Sequence, residues 1–174
     1  DRCLIIVSVW AALLIGGQFI FLTYLPLFLV HQVDMSPVAA GGYLGIALVL
    51  SVAGRVFWGA VSDFFFRSRR LLVLASLGIV TAAGMLGLSL VEKDTPRLLI
   101  GVLACILGGT AMSWVGVFTA YVGEIAGPGR EGLVLGGTNM LLRVGIIVMP
   151  PAFGLLVDAA GMYSYGWGVA SVVA

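Results

Sequence analysis

Apolar runs of about 20 residues recur along this chain, and they restrict it to folds that cross a membrane. A helix needs about 20 apolar residues to cross a hydrocarbon core of roughly 30 Å. Charged residues make up 10% of the chain, whereas a soluble domain contains roughly 25%. No run shows the period-two alternation of an outer-membrane barrel strand. The sequence therefore predicts an all-α fold, a polytopic bundle of transmembrane helices.

Turns rich in Pro, Gly and charge divide the chain into five predicted spans and the start of a sixth. Ser36 followed by Pro37 predicts a helix start, because the hydroxyl caps the helix and proline needs no N–H in the first turn. Gly41 and Gly45 predict a face for close helix contact, and residues 16–18 predict an interruption of the first span. The chain has no initiator Met and its last span is short, so we expect a piece of a longer protein. The predicted spans are about 4–30, 38–60, 71–91, 98–122, 132–157 and 166–174.

Lys and Arg are shared unequally between the two sets of span ends, and only these residues count for orientation. The loop 61–70 holds the densest cluster. We therefore expect that loop to be cytoplasmic and the chain to be a multi-pass protein of the cell (inner) membrane. One set of ends carries Arg2, Arg55, Arg67, Arg69, Arg70 and Arg130, and the other carries Lys93 and Arg97.

Two stretches of this sequence resemble loop signatures of the major facilitator superfamily. The first reads Gly-Ala-Val-Ser-Asp over 59–63 and then Arg-Ser-Arg-Arg over 67–70. The second reads Glu-Ile-Ala-Gly-Pro-Gly-Arg over 124–130, and the following span closes with a Pro–Gly–Asp pattern over 150–158. The spacing of the spans fits as well, so the resemblance covers essentially the whole chain.

The resemblance implies half of a twelve-helix major facilitator fold. A degenerate loop signature and the closing pattern at 150–158 favour the C-terminal half, and the first-half assignment stays open. The sequence departs from the signature at Phe64, where the family usually has a basic residue, and at Phe66, where it usually has Gly. The role of the loop is least secure at these two positions.

The resemblance also implies a set of ion pairs at the basic side. It places Asp63 against Arg55 or Arg67, with Glu124 completing the set, and it brings Asp63 to the N-terminus of the fifth helix. Gly59 opens the signature. Opposite charges near a low-dielectric boundary attract more strongly than in bulk water, so such a set could close one side of an alternating-access transporter. The alternative is that the arginines only anchor the loop and set the topology.

Arg143 is predicted near the middle of the fifth span, roughly 16 Å along a helix that starts near Gly132. A charged side chain there is costly and usually faces a partner or a water-filled cavity. Asn139 is four residues earlier and shares its face. The resemblance implies that this helix lines the central cavity, so Arg143 and Asn139 are predicted to bind substrate. Because Arg suits carboxylates and phosphates, we expect a small organic anion. The alternative is a structural partner for Arg143 in the other half.

Other polar and aromatic side chains inside the spans are weaker candidates for the same site. Each has an ordinary alternative, which is contact between helices or anchoring at the membrane interface. The remaining candidates for substrate binding are Gln18, Tyr24, Ser113 and Trp114.

Several chemistries find no support in this sequence. No carboxylate lies in the middle of a span, and His31 is predicted at a surface, so we expect no catalytic residue, no metal site and no cofactor. A net charge of +1 gives no reason to expect a nucleic-acid partner. The sequence predicts a non-enzymatic protein that moves a small solute by secondary active transport, with the bilayer and the other six-helix half as partners. A channel subunit and a non-transporting scaffold or sensor stay open as alternatives.

Overall fold

The chain forms seven helices in the computed structural model, which describes residues 2–64 and 69–173. Five helical segments are long and apolar enough to cross a membrane, and two consecutive helices, α4 and α5, make up one of them. The helices are α1 (Arg2–His31), α2 (Pro37–Phe64), α3 (Arg70–Ser89), α4 (Arg97–Ala111), α5 (Val115–Ala126), α6 (Glu131–Ala160) and α7 (Tyr163–Val173).

Successive spans alternate in direction, so the connections between spans collect at two ends of the bundle. Contacts near these connections define the ends. Lys93 forms an ion pair with Asp34, and Gln32 donates a hydrogen bond to Ser164 (2.6 Å). We call this end the opposite side. The basic side is the other end, which carries Asp63, Arg70 and Glu124.

Local sequence explains where α2 begins and where α6 ends. Ser36 accepts a hydrogen bond from the N–H of Ala39 (3.3 Å), the contact expected of a serine ahead of a helix that begins at Pro37. The helix α6 ends at Ala160 and is followed by Gly161, whose φ of 68° is left-handed, a conformation that glycine adopts without strain. The sixth span was predicted from residue 166, but α7 begins at Tyr163, since the turn after α6 is shorter than its polar residues suggested.

Two expectations about glycine are wrong. The predicted interruption at residues 16–18 does not occur, because α1 continues through them. Gly41 and Gly45 do not mediate close contact, since a Cβ on either would meet nothing within 4 Å. Lipid gives helices little hydrophobic reason to associate, so close packing matters more. That role falls to other small residues.

Close approaches occur where small residues of paired helices face each other. A Cβ on Gly145 of α6 would collide with the backbone of Ala12 in α1, and one on Gly108 of α4 would collide with the backbone of Ala47 in α2. These contacts fix α1 against α6 and α2 against α4, which are two of the most extensive helix pairs in the bundle.

The helices α2 and α6 are the least covered spans. In their most apolar 18-residue stretches, 11% and 22% of residues are buried, against 44–50% in the other three spans. The exposed face of α6 carries Gly136, Asn139 and Arg143. The core instead forms two apolar clusters, one towards each side, around Phe28 and Trp167 and around Leu77 and Trp114.

Candidate functional site

The open face of α6 holds the two residues predicted to bind an anion. Arg143 is 12 residues after Glu131 in a helix of 30, or roughly 18 Å along its axis at 1.5 Å per residue. Its side chain is exposed, and it forms no ion pair or hydrogen bond within residues 2–64 and 69–173. A cation near the middle of a membrane-spanning helix is therefore left without a partner from this part of the chain.

Asn139 lies one turn from Arg143 on the same exposed face. Its Nδ2 donates to the carbonyl oxygen of Leu135 in its own helix (2.9 Å). The face continues through Gly136 and Gly132, where an added Cβ would meet nothing within 4 Å. The two polar residues share a face without bonding to each other, and the glycines leave room beside them.

Gln18 and Tyr24 lie on α1, away from open space. Gln18 is 8% exposed, and its Oε1 has no hydrogen-bond partner among the described atoms. Tyr24 donates its hydroxyl to the carbonyl oxygen of Pro150 (3.0 Å), and its ring lies 4.7 Å from that of Phe153. Tyr24 therefore ties α1 to α6, while Gln18 retains a free acceptor.

Ser113 and Trp114 lie in the turn between α4 and α5. Ser113 is buried and donates to the carbonyl oxygen of Ser51 in α2 (3.1 Å). Trp114 is 1% exposed, and its indole N–H has no partner in the described part of the chain. No hydrogen bond described by the structure joins these buried candidates to Arg143 or Asn139. The six candidates thus divide into an open pair, the half-buried Tyr24 and three buried residues.

An arginine that sequence reasoning did not single out completes the ion pairs of the basic side. Arg70 lies 3.3 Å from Asp63 through Nη2 and Oδ1, and its Nε donates to Oε1 of Glu124 at 2.8 Å. The Arg70 side chain is 13% exposed, against 56% for Asp63 and 50% for Glu124. One partly shielded cation therefore links α2, α3 and α5.

The structure describes only one of the two cations predicted for this set. Arg67 is outside the described residues. Arg55 is exposed, and its Nε donates to the carbonyl oxygen of Met112 (3.3 Å). Asp63 makes no described hydrogen bond to the first turn of α6, where Glu131 accepts from the N–H of Gly129 (3.1 Å). The one feature of the sequence that could have pointed to Arg70 as the cation of these ion pairs is its position at the start of α3, next to the loop signature.

Gly59 lies one turn before Asp63 on α2, and a Cβ there would meet nothing within 4 Å. Within the described residues, Gly59 therefore mediates no close packing between helices.

The opposite side is held by Asp34 and Lys93, which link two loops. Their hydrogen bond first, and then their opposite charges, lower the pKa of Asp34 and raise the pKa of Lys93. The contribution of Asp34 to stability is present above its ordinary pKa of 3.8 and is lost as the pH falls through its lower folded value. The contribution of Lys93 is present below 10.5 and is lost as the pH rises through its higher folded value.

The described residues contain no group of three or more His, Cys, Asp or Glu side chains that could hold a metal ion. The contacts of the two polar clusters are therefore ion pairs and hydrogen bonds.

The sequence profile of the Major Facilitator Superfamily matches residues 3–150. The chain belongs to this superfamily. It is thus part of a multi-pass membrane protein from a family of transporters rather than enzymes. The helical, membrane-spanning fold and the superfamily predicted from the sequence are confirmed.

This superfamily member is similar in sequence to several proteins described as transporters. It is 28% identical over 93% of its length to an uncharacterized MFS-type transporter of Mycobacterium tuberculosis. It is 26% identical over 84% of its length to the probable galactarate/D-glucarate transporters of Bacillus subtilis and Escherichia coli. The chain spans 36%, 32% and 33% of the lengths of these relatives.

Proposed function

We propose that this chain is half of a secondary transporter that moves a small organic anion across the membrane by alternating access. The observation that carries the proposal is Arg143, exposed near the middle of α6 and unpaired within the described residues. An ionised side chain at this depth usually faces a bundle interior or a water-filled cavity, where it marks a pathway for substrate or ions.

The exposed faces of α2 and α6 support a cavity between two halves. Most of the apolar stretch of each helix is uncovered in this chain, and α6 presents Arg143 on its uncovered side. Substrate sites of secondary transporters lie near the bilayer midplane between structural repeats. The other six-helix half would complete this site, and it would also provide the second wall of the cavity.

The chemistry of the site fits a hydroxylated carboxylate. The guanidinium of Arg143 offers a planar pair of donors that matches a carboxylate. Asn139 lies one turn away on the same exposed face, and its amide could bind a hydroxyl. Two relatives are probable transporters of galactarate and D-glucarate, sugar diacids that carry both kinds of group, so we propose this substrate class.

The ion pairs of Arg70 would hold the basic side of the transporter closed in one of its conformations. Asp63, Arg70 and Glu124 join three helices at the basic side, and the excess of Lys and Arg assigns that side to the cytoplasm of a cell membrane. Opening the transporter to this side would separate α2 from α5 and break at least one pair. The set is thus a two-state contact of the kind alternating access requires.

The test is uptake of labelled D-glucarate and galactarate by the full-length protein in liposomes. Arg143→Gln removes the charge and should raise KM about tenfold or more, because a hydrogen bond to a charged group contributes about 1.5–3 kcal/mol. Arg143→Lys keeps the positive charge but loses the planar pair of donors, so it should give an intermediate KM. Arg97→Gln, at the start of α4, is the matched control and should leave KM unchanged.

Three outcomes would contradict the proposal. Normal KM in Arg143→Gln would remove Arg143 from the site, and flux that does not saturate or show counterflow would indicate a channel. An intact protein that binds and moves neither diacid would exclude this substrate class.

A further inference from the structure

The fourth span is broken inside the membrane, which the sequence did not predict. The helix α4 ends at Ala111, α5 begins at Val115, and Met112–Trp114 form a turn. The break lies about 22 Å along the span from Arg97 at 1.5 Å per residue. A break leaves backbone carbonyls without helical partners, and in lipid such groups must be satisfied by protein or water.

The carbonyl of Gly109 shows how the break loses its own hydrogen bonds. In a regular helix it would accept from the N–H of Ser113, but that N–H bonds to the carbonyl of Thr110 instead (3.1 Å). The carbonyl of Met112 lies in the turn itself. Both acceptors therefore need donors from another element.

The helix α2 supplies those donors. Trp58 Nε1 donates to the carbonyl oxygen of Gly109 (2.8 Å), and Arg55 Nε donates to that of Met112 (3.3 Å). These two residues are three positions apart on α2, so they share one face. Gly54 brings the helices close enough, because a Cβ on it would lie 2.9 Å from the Gly109 carbonyl oxygen.

The charge of Arg55 suits its position. The C-terminal end of a helix carries a partial negative charge, which stabilises a cation there. Arg55 meets the end of α4 at Met112, where the polar backbone is turned away from its own helix. The arginine therefore offsets the cost of the exposed carbonyl, and the carbonyl offsets part of the cost of placing a cation at this depth.

We infer that Arg55 and Trp58 are positioning residues that hold the break in the fourth span, and thereby hold α5. The helix α5 has 12 residues. Its N-terminal end is held by the turn, and its C-terminal end is held at the basic side by Glu124, which is bound to Arg70. Losing the donors of α2 would free the N-terminal end of α5 while α4 remained packed. The consequence for transport rests on the proposed function: the break sets the rate of the conformational cycle, and Arg55 does not bind solute.

Hydrogen–deuterium exchange of the purified full-length protein tests the inference without any substrate. Arg55→Gln and Trp58→Phe should each speed exchange of the amides at residues 112–118 about fivefold, since one net hydrogen bond contributes about 1 kcal/mol and exchange follows local opening. Arg55→Lys should recover part of the protection. Trp167→Phe is the control, because it removes an indole N–H that has no partner in the described structure.

Transport kinetics separate positioning from binding. In liposomes, Arg55→Gln and Trp58→Phe should change the turnover rate for D-glucarate severalfold and leave KM unchanged. A parallel rise in KM would show that Arg55 binds solute, and wild-type exchange at residues 112–118 would show that the break is held by other groups. If the wild-type protein moves neither diacid, the proposed substrate fails while the exchange measurement still decides the role of Arg55 and Trp58.

Discussion

Individual glycines decide how closely the helices of this bundle approach, and their roles differ with what each one faces. Gly145 lies against the backbone of Ala12, whereas Gly136, nine residues earlier on the same helix, faces open space. The residue type is identical and the helix is continuous. The physical difference is therefore whether a neighbouring backbone occupies the position of a side chain.

Gly145→Ala should destabilise the bundle, because its Cβ would lie 2.9 Å from the carbonyl carbon of Ala12 and α1 would have to move. Overpacking of this kind costs about 1–3 kcal/mol. The measurement is the apparent melting temperature of the detergent-solubilised protein, with Gly136→Ala as the matched control on the same helix. An unchanged melting temperature in Gly145→Ala would show that the two helices can separate without cost.

The site residues differ in how far sequence could place them. Arg143 was singled out by its depth, since a lone charge inside an apolar run is costly unless it faces a partner or water, and its role in binding came from the family resemblance. The structure leaves its side chain exposed, and substrate binding stays a prediction. Arg70 was not distinguished from its neighbours, because several arginines follow Asp63 and their helical register was unknown. Which arginine meets Glu124 depends on where α3 begins and how α5 crosses it.

The elements of the basic side are joined by a single shared cation. Arg70→Gln should lower the transport rate more than Asp63→Asn or Glu124→Gln, because it breaks both pairs and each of the others breaks one. Each pair is half exposed and contributes at most about 1 kcal/mol, so single losses should stay within about fivefold. Uptake into liposomes measures the rates, and membrane insertion should stay normal in every variant.

Arg69→Gln is the control, since Arg69 is adjacent and forms no described ion pair. Adding Asp63→Asn to Arg70→Gln should change little further, because partners in one network are not additive. Wild-type rates in Arg70→Gln would mean that the ion pairs only stabilise the fold.

At the level of the element, α5 could not be predicted. The fourth span reads as one apolar run, and its two glycines at 108 and 109 are equally compatible with an unbroken helix. In the structure the span is broken after Ala111. At the break, α2 supplies two hydrogen-bond donors to carbonyl oxygens and one acceptor to the Ser113 hydroxyl. A break of this kind is stable only when another helix supplies its hydrogen bonds, so no pattern within the span reveals it.

At the level of the whole molecule, α2 and α6 present uncovered faces that the proposed function assigns to the other half and to a water-filled cavity. Exposure in this chain does not by itself distinguish such a face from one against lipid. Ile79 on α3 is 71% exposed and Gly136 on α6 is also exposed, yet we expect them to meet different surroundings.

A cysteine at each position tests this difference. In a full-length protein with every cysteine, Cys3 and Cys105 included, replaced by Ser, a membrane-impermeant thiol reagent should label Gly136→Cys and leave Ile79→Cys unlabelled. D-glucarate should slow labelling at residue 136, because the solute would occupy the cavity beside Arg143. Equal labelling at both positions, or none at 136, would contradict the placement of α6 along a water-filled path.

The sequence by itself determined the environment and the local architecture: a membrane protein of apolar helices, the turns between them and an isolated cation near mid-membrane. These follow from the transfer of side chains out of water and from the periodicity within one helix. Tertiary structure decided the rest, namely the choice of Arg70 for the ion pairs, the role of Arg55 at the broken span and the glycines in contact. Each of these depends on which atoms of another helix lie within a few ångströms, and that distance is set only when the helices pack.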